Sequence, residues 1–156
     1  MLIETGTYFG DTITATQNHF SEIYSIELSP DLYKRAKKHF DGHLNVHLFQ
    51  GDSGDVLKNI LPAVKGRPLF WLDAHYSEGI TARGAVDTPI MEELGTIFAL
   101  CPNCVVLIDD ARLFDGTNSY PKLSELQQYV ADRGHDWVCE VRHDIIRVHR
   151  RNLLTQ

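Results

Sequence analysis

The sequence predicts an α/β protein built on a doubly wound, mostly parallel sheet of about seven strands with helices on both faces. Short apolar segments of strand character alternate with amphipathic segments of helical character along the chain. The strand segments are almost continuously apolar, as in PLFWL at 68–72, which is typical of strands buried on both faces. Right-handed crossovers then place the carboxyl ends of the parallel strands along one edge, where ligands bind in folds of this class.

Seven strands and five helices follow from the order of these segments. The predicted strands span 1–4, 22–28, 46–49, 68–72, 105–108, 136–142 and 145–149, and the last two form a terminal pair that includes an antiparallel strand. The predicted helices span 12–20, 30–41, 53–61, 89–100 and 121–133. The second helix has a strong start, because Ser29 favours the N-cap position and Pro30 the first helical position.

Composition limits the classes of function. A chain of 156 residues is most simply one domain and is long enough to bury a core. The formal net charge of −6 argues against nucleic acid as the main partner, because no strong basic field would attract phosphates. The sequence has no apolar run of the ~18 residues that a membrane span needs, and no signal-peptide pattern. We therefore expect a cytoplasmic protein with no membrane partner.

The first predicted turn has the features of a ligand-binding turn. An apolar strand runs directly into Glu4, Gly6 and Gly10, and a helix is expected to begin near Asp11. Glycine allows close approach of a ligand and positive φ, and the first turn of a helix offers unpaired N–H groups. The dinucleotide pattern G-x-G-x-x-G is absent, since Tyr8 stands where a middle glycine would fall. A carboxylate at Glu4 also favours a cationic ligand over a diphosphate.

Acidic residues follow nearly every predicted parallel strand, and together they predict a negatively charged crevice at one edge of the sheet. Glu27, at the tip of the second strand, suits the two ribose hydroxyls of an adenosine-containing ligand. Asp52 has an alternative role as the cap of the following helix. Adjacent carboxylates after the fifth strand repel each other unless a cation or a donor compensates. These acids are Glu4, Glu27, Asp52, Asp73, Asp109 and Asp110.

On these motifs the chain resembles the class I S-adenosylmethionine-dependent methyltransferases over nearly its whole length. The resemblance implies a Rossmann-like sheet and S-adenosylmethionine as cofactor. It further implies that the first turn holds the methionine part, that Glu27 binds the ribose, and that Glu4 lies beneath the turn, organising it or reaching the amino group through water. The cofactor-binding residues implied in this way are Glu4, Gly6, Thr7, Gly10, Thr12, Glu27, Asp52, Ser53 and Asp73.

The acids after the fourth and fifth strands are similar to those of metal-dependent O-methyltransferases of the catechol type, and to bacterial enzymes for sugars or natural products. This likeness implies Mg²⁺ held by Asp73, Asp109 and Asp110, with the metal lowering the pKa of an acceptor hydroxyl. The lysine base of the catechol enzymes is missing after Asp73. His75 is therefore the candidate base, with Asp73 as its catalytic neighbour, although a packing role for His75 is an equal alternative.

The resulting expectation is a single methyltransferase domain spanning 1–156 without the usual N-terminal cover helices, acting on a small hydroxylated acceptor. An uncovered sheet edge or face favours a homodimer. The polar segment 77–87 has the composition of a lid or of an ordinary loop. Two alternatives remain open: a non-catalytic module that binds S-adenosylmethionine or a nucleotide, and an NAD(P)-dependent oxidoreductase, against which Glu4 and the missing glycine pattern count.

Overall fold

The computed structural model describes residues 1–74 and 88–151. Within these residues, one sheet of seven strands has the order β3-β2-β1-β4-β5-β7-β6. The first five strands are parallel, and β7 is antiparallel to both of its neighbours, β5 and β6. This confirms the predicted doubly wound sheet and its terminal pair. The strands are β1 Leu2–Thr5, β2 Ile23–Glu27, β3 Val46–Gln50, β4 Leu69–Leu72, β5 Val105–Ile108, β6 Trp137–Arg142 and β7 Ile145–Arg150.

Five α-helices connect the strands within the described residues, and each differs from its predicted bounds by one to four residues at one or both ends. They are α1 Asp11–Thr16, α2 Pro30–His39, α3 Ser53–Ile60, α4 Ile90–Leu100 and α5 Leu123–Ala131. Helix α1 ends four residues earlier than predicted, because the Asn45 amide donates to the main-chain oxygens of Gln17 and Phe20 and holds that segment in a turn. Helix α5 begins two residues later than predicted, since Lys122 forms a β-bridge with Asp115.

The start signal of α2 behaves as expected. Ser29 is the N-cap of α2, where its hydroxyl accepts from the N–H of Leu32, and Pro30 is the first helical residue. Helix α3 is followed directly by a 3₁₀ turn, Leu61–Ala63, which contains Pro62. None of the helices in the described ranges is long and apolar enough to cross a membrane.

Side-chain alternation along β1 divides the core between the two faces of the sheet. Leu2 packs on one face with the smaller cluster contributed by α1 and α2, whereas Ile3 packs on the other face with the larger cluster from α3, α4 and α5. Both side chains are almost fully buried. Helices on both faces hold the parallel strands in register, so the carboxyl ends of β1 to β5 meet at one edge, where the candidate site lies.

Candidate functional site

The turn between β1 and α1 is fixed by two glycines with positive φ. Gly6 has φ of +86° and Gly10 has φ of +83°. A Cβ at Gly6 would lie 2.4 Å from the carbonyl oxygen of Asp73, and one at Gly10 would lie 2.6 Å from the ring of Phe40. These two glycines therefore allow the backbone of the turn to lie close to the end of β4 and to the aromatic ring that follows α2.

Tyr8 is the exposed residue of this turn. It has φ of +49°, and 44% of its surface is exposed. Its ring lies against that of Phe9 with a centroid separation of 4.1 Å, and the guanidinium carbon of Arg35 lies 4.1 Å from the Phe9 centroid. A non-glycine residue in the left-handed region is uncommon outside turns and functional sites. From the sequence, Tyr8 is apparent only as the residue that replaces a middle glycine, and it is not among the predicted site residues.

The carboxylate of Glu27 joins the first turn to the end of β2. One oxygen accepts from the backbone N–H of Tyr8 and the other from the N–H of Ser29, each at 2.8 Å. Glu27 is only 6% exposed, so these two bonds fix its orientation. Each carboxylate oxygen has a further lone pair, which leaves capacity to accept from two additional hydroxyl groups.

Glu4 lies directly beneath the turn, at the start of a buried chain of hydroxyl groups. The hydroxyl of Ser25 donates to Glu4 Oε2 at 2.5 Å, and the hydroxyls of Ser25 and Thr7 lie 2.6 Å apart. Burial raises the pKa of Glu4 to about 7, although hydrogen bonds from Ser25 and Thr12 oppose the rise. Thr7 is 2% exposed and its hydroxyl is directed inward, so it organises the turn from below.

The segment after β3 places Asp52 and Ser53 at the same edge of the sheet, where both side chains form contacts within the protein. Asp52 is the N-cap of α3 and accepts from the N–H of Gly54 at 2.9 Å, which is the alternative role considered from the sequence. Ser53 is 6% exposed, and its hydroxyl interacts with the carboxyl group of Glu93. Both residues lie at the sheet edge next to the end of β2, because β3 pairs with β2 up to Gln50.

A second feature of this edge is a cleft beyond the ends of β4 and β5, here called the acid cleft. Its described lining residues are Leu72, Asp73, Ala74, Thr88, Ile90, Glu93, Ile108, Asp109, Phe114 and Tyr120. Burial raises the pKa of Asp109, and the nearby charge of Asp73 raises it further. The backbone N–H of Asp110 donates to Asp109 Oδ1 at 2.8 Å and opposes that rise. The structure thus brings Asp73 and Asp109 together, as predicted.

Glu93 is a member of the acid cleft that is not among the residues predicted from the sequence. It is 1% exposed, and burial raises its pKa to about 7. Among the described residues its Oε1 atom has no hydrogen-bond partner, while hydrogen bonds from the side chains of Ser53 and Thr5 to the carboxyl group oppose the rise of its pKa. A signal was present in the sequence, because position 93 belongs to the stripe of α4 that includes Ile90, Leu94 and Ile97, all of them buried. An acid on such a stripe is expected to be buried.

The carboxylate of Asp110 forms an ion pair. Its carboxylate lies 2.7 Å from Arg112 Nη1, and the same nitrogen pairs with Asp144 in the hairpin between β6 and β7. The backbone N–H of Arg112 also donates to Asp144 Oδ1, at 2.8 Å. Within residues 1–74 and 88–151, no group of three acidic, histidine or cysteine side chains is arranged to hold a metal ion. The predicted set of Asp73, Asp109 and Asp110 is therefore not assembled.

Two further predictions from the sequence fall outside the described residues. These are His75 as a base and the segment 77–87 as a lid.

Comparison with known proteins identifies the fold. No protein-family model matches the chain, and no curated protein matches it. Among solved structures, it is similar to the SAH-bound methyltransferase PaMTH1 of Podospora anserina, with a TM-score of 0.64 and 19% identity over 96% of this chain and 70% of that one. It is also similar to an O-methyltransferase from Bacillus cereus in complex with SAH, with a TM-score of 0.65 and 16% identity over 96% of this chain and 73% of that one.

The chain has the fold of the class I methyltransferases. The same fold also occurs in a protein described as precorrin 8W decarboxylase from Methanobacterium thermoautotrophicum, with a TM-score of 0.58 and 15% identity over 94% of this chain and 78% of that one. Because a fold can carry more than one chemistry, function has to be argued from the site. In this methyltransferase fold, the first turn, Glu27 and the acid cleft all lie at the carboxyl edge of the sheet.

Proposed function

We propose that the protein is an S-adenosylmethionine-dependent methyltransferase that methylates an oxygen of a small hydroxylated acceptor. The observation that carries the proposal is the Glu27 carboxylate, fixed by Tyr8 and Ser29 next to a first turn that lacks the diphosphate-binding glycine pattern. A carboxylate with free lone pairs at the tip of β2 suits the paired hydroxyls of a ribose. The fold, shared with SAH-bound methyltransferases, supports the same cofactor.

The residues proposed to hold the cofactor lie along the ends of β1, β2 and β3. Glu27 accepts from the ribose hydroxyls, and the backbone between Gly6 and Gly10 takes the methionine part. Glu4 keeps that backbone in place through Ser25 and Thr7. Asp52 and Ser53 flank the adenine with their backbone, since their side chains are used in the cap of α3 and towards Glu93.

The chemistry requires mainly that the two reactants are held in line. S-adenosylmethionine supplies the methyl group from its sulfonium centre. Asp73 and Asp109 accept a hydrogen bond from the acceptor hydroxyl in the acid cleft and orient its oxygen. A carboxylate with a raised pKa is a better proton acceptor, and burial raises the pKa of Asp109. His75 remains a proposed base.

Magnesium assistance is not part of the proposed step. Of the three carboxylates expected to bind the metal, Asp73 and Asp109 line the cleft, whereas Asp110 is paired with Arg112. Two protein carboxylates are fewer than the resemblance implies, although hard divalent cations also accept water and substrate oxygens as ligands. The question is tested by comparing turnover in MgCl₂ and in EDTA.

The proposal is tested by supplying the protein with S-adenosylmethionine labelled in its methyl group and the small-molecule fraction of a cell extract as a pool of acceptors. We expect label to enter a small organic product with wild-type protein, and to be absent with Glu27→Ala. Binding of S-adenosylhomocysteine without any transfer would contradict the proposal and support the alternative of a non-catalytic module. Binding of NADH instead would support the oxidoreductase alternative.

A further inference from the structure

We propose that the outer edge of β6 is a dimer interface that binds a second copy of this chain. The two β6 strands pair in antiparallel orientation about a two-fold axis at Val141, so that Glu140 of each copy lies opposite Arg142 of the other. The inference goes beyond the proposed function, because this edge of the sheet carries none of the residues proposed to bind the cofactor or the acceptor.

The first argument is the direction of the backbone groups of β6, which is the last strand of the sheet. Within the described residues it pairs with β7 alone, in continuous register over its whole length. The backbone groups of successive residues point to opposite sides of such a strand. Just before β6, the carbonyl oxygen of Asp136 accepts from the N–H of Arg151 on the β7 side. By this alternation, the backbone groups of Cys139 and Val141 point outward, away from β7.

These outward groups are open to a partner strand. The part of the chain that the structure describes forms no hydrogen bond with the outward groups of Cys139 and Val141. At the start of the strand, in contrast, the N–H of Trp137 donates to the carbonyl oxygen of Gly134 at 3.1 Å. Proline, lysine and bulges commonly protect an edge strand from pairing. The segment WVCEVR has none of these, and the side chain of Val141 is 42% exposed.

The second argument is the charge pattern of β6, which is complementary to itself. Glu140 and Arg142 are both exposed, and they lie on the same face of the sheet because they are two residues apart. Neither forms an ion pair in the described part of the chain. In an antiparallel pair centred on Val141, the ion pair between Glu140 and Arg142 forms twice. These two residues then face each other as a non-hydrogen-bonded pair, in which the side chains lie closest.

The same charge pattern disfavours other pairings of the sheet edges. A pair centred on Glu140 places like charges directly opposite each other, which is destabilising. A pair centred on Cys139 places Arg142 opposite Asp136, which already forms an ion pair with Arg150 at 3.0 Å. The opposite edge strand, β3, has the sequence VHLFQ and carries no acidic residue, so it cannot form such ion pairs with its own copy. The charges therefore favour β6 and a single register.

The inference is tested by sedimentation velocity of the full chain in a reducing buffer of low ionic strength. We expect a monomer–dimer equilibrium with a Kd of about 10–100 μM, as for a small and transient interface, and weaker association in concentrated NaCl, which screens the ion pairs. Glu140→Arg and Arg142→Glu should each weaken the dimer about tenfold or more, because symmetry places like charges opposite each other twice. The double variant that carries both substitutions should restore the dimer.

Two further variants separate the backbone pairing from general effects of charge. Val141→Pro removes an outward N–H without removing a bond to β7, so the hairpin is kept and the dimer should be lost. Glu22→Arg is the matched control, because Glu22 pairs with His47 of β3 at the opposite edge of the sheet, and it should leave the Kd within about threefold. Far-UV circular dichroism of every variant distinguishes loss of the dimer from loss of the fold.

Each remaining outcome counts against the inference. A wild-type protein that stays monomeric up to about 500 μM, well above the expected Kd, would overturn it. A dimer that survives both single charge reversals would assign the interface to another surface and overturn it as well. Failure of the double variant to restore the dimer would exclude the pairing of Glu140 with Arg142 and, with it, the proposed register. The experiment uses no cofactor or acceptor, so its outcome is independent of the proposed function.

Discussion

The carboxylate of Glu27 accepts a hydrogen bond from the backbone N–H of Tyr8, 19 residues earlier in the chain, at a distance of 2.8 Å. Its other oxygen accepts from Ser29. Glu27 thereby holds the first turn against the end of β2. The same two hydrogen bonds fix the orientation of the lone pairs that remain on its carboxylate. The contact links the folding of the turn to the position of the proposed ribose-binding group.

Glu27→Gln should weaken both stability and cofactor binding. The amide nitrogen of glutamine cannot accept from a backbone N–H, so one of the two bonds is lost, at about 1–3 kcal/mol of unfolding free energy. Affinity for S-adenosylhomocysteine should fall about tenfold or more, measured by isothermal titration. Glu22→Gln is the control, because Glu22 precedes the same strand and pairs with His47 far from the turn. Unchanged affinity in Glu27→Gln would exclude a ribose-binding role.

Gly6→Ala should be far more harmful than the same substitution at Gly66. Both glycines have nearly the same φ, +86° and +88°, but a Cβ at Gly66 meets nothing within 4 Å, whereas one at Gly6 lies 2.4 Å from a backbone oxygen of Asp73. Gly66→Ala therefore carries only the conformational cost, about 1 kcal/mol. Urea denaturation should show a loss of about 2 kcal/mol or more for Gly6→Ala, because backbone atoms must move. Equal losses of unfolding free energy in the two variants would show that the backbone relieves the clash between a Cβ at Gly6 and Asp73 without further cost.

Glu93→Gln should change the pH dependence of stability. The pKa of Glu93 is raised from 4.5 to about 7 in the folded protein. Folded protein therefore binds more protons than unfolded protein between these values, and stability falls as the pH rises through them. At about 1.4 kcal/mol for each pKa unit, the loss at this group is up to about 3 kcal/mol.

The measurement is the free energy of unfolding in urea at pH 5 and pH 8 for both proteins. Relative to wild type, Glu93→Gln should be more stable at pH 8 than at pH 5 by up to about 3 kcal/mol. Glu4, whose pKa is likewise raised to about 7, is present in both proteins, so its contribution to the pH dependence of stability cancels in the comparison. An equal difference at the two pH values would show that Glu93 is already ionised at pH 5.

Asp109 and Asp110 should respond differently to substitution by asparagine. Asp109 lines the acid cleft, whereas Asp110 is paired with Arg112 and lies beside Asp144. With the labelled-methyl assay, Asp109→Asn should lower transfer about tenfold or more, and Asp110→Asn should leave it within about threefold. Equal losses, accompanied by a requirement for MgCl₂, would instead support a metal site that uses both acids.

Much of the fold is predictable from the sequence because its strands are apolar and its helix starts carry clear signals. Ser29 with Pro30 begins α2 as expected, and the strand 105–108 has the predicted bounds. The end of α1 is not predictable from local pattern, because it is set by Asn45, which is distant in the sequence. Tertiary hydrogen bonds of this kind override helical propensity.

The site is predictable in its location but less so in the direction of its side chains. Acids at strand ends meet at one edge because the strands are parallel, which explains why Glu27, Asp73 and Asp109 lie there. Asp110 is adjacent to Asp109, yet its φ of +57° and its pairing with Arg112 direct it elsewhere. Glu93 enters the site from a helix, where two local signals conflict: its place on the apolar stripe of α4 indicates burial, whereas an acid in the first turn is ordinarily a surface residue that interacts with the helix dipole.

The most direct test of the proposed cofactor is isothermal titration of the wild-type protein with S-adenosylhomocysteine, with NADH as the comparison ligand. We predict binding of S-adenosylhomocysteine in the range of about 1–100 μM, and no measurable binding of NADH. Binding of NADH without binding of S-adenosylhomocysteine would contradict the proposed cofactor and, with it, the role assigned to Glu27.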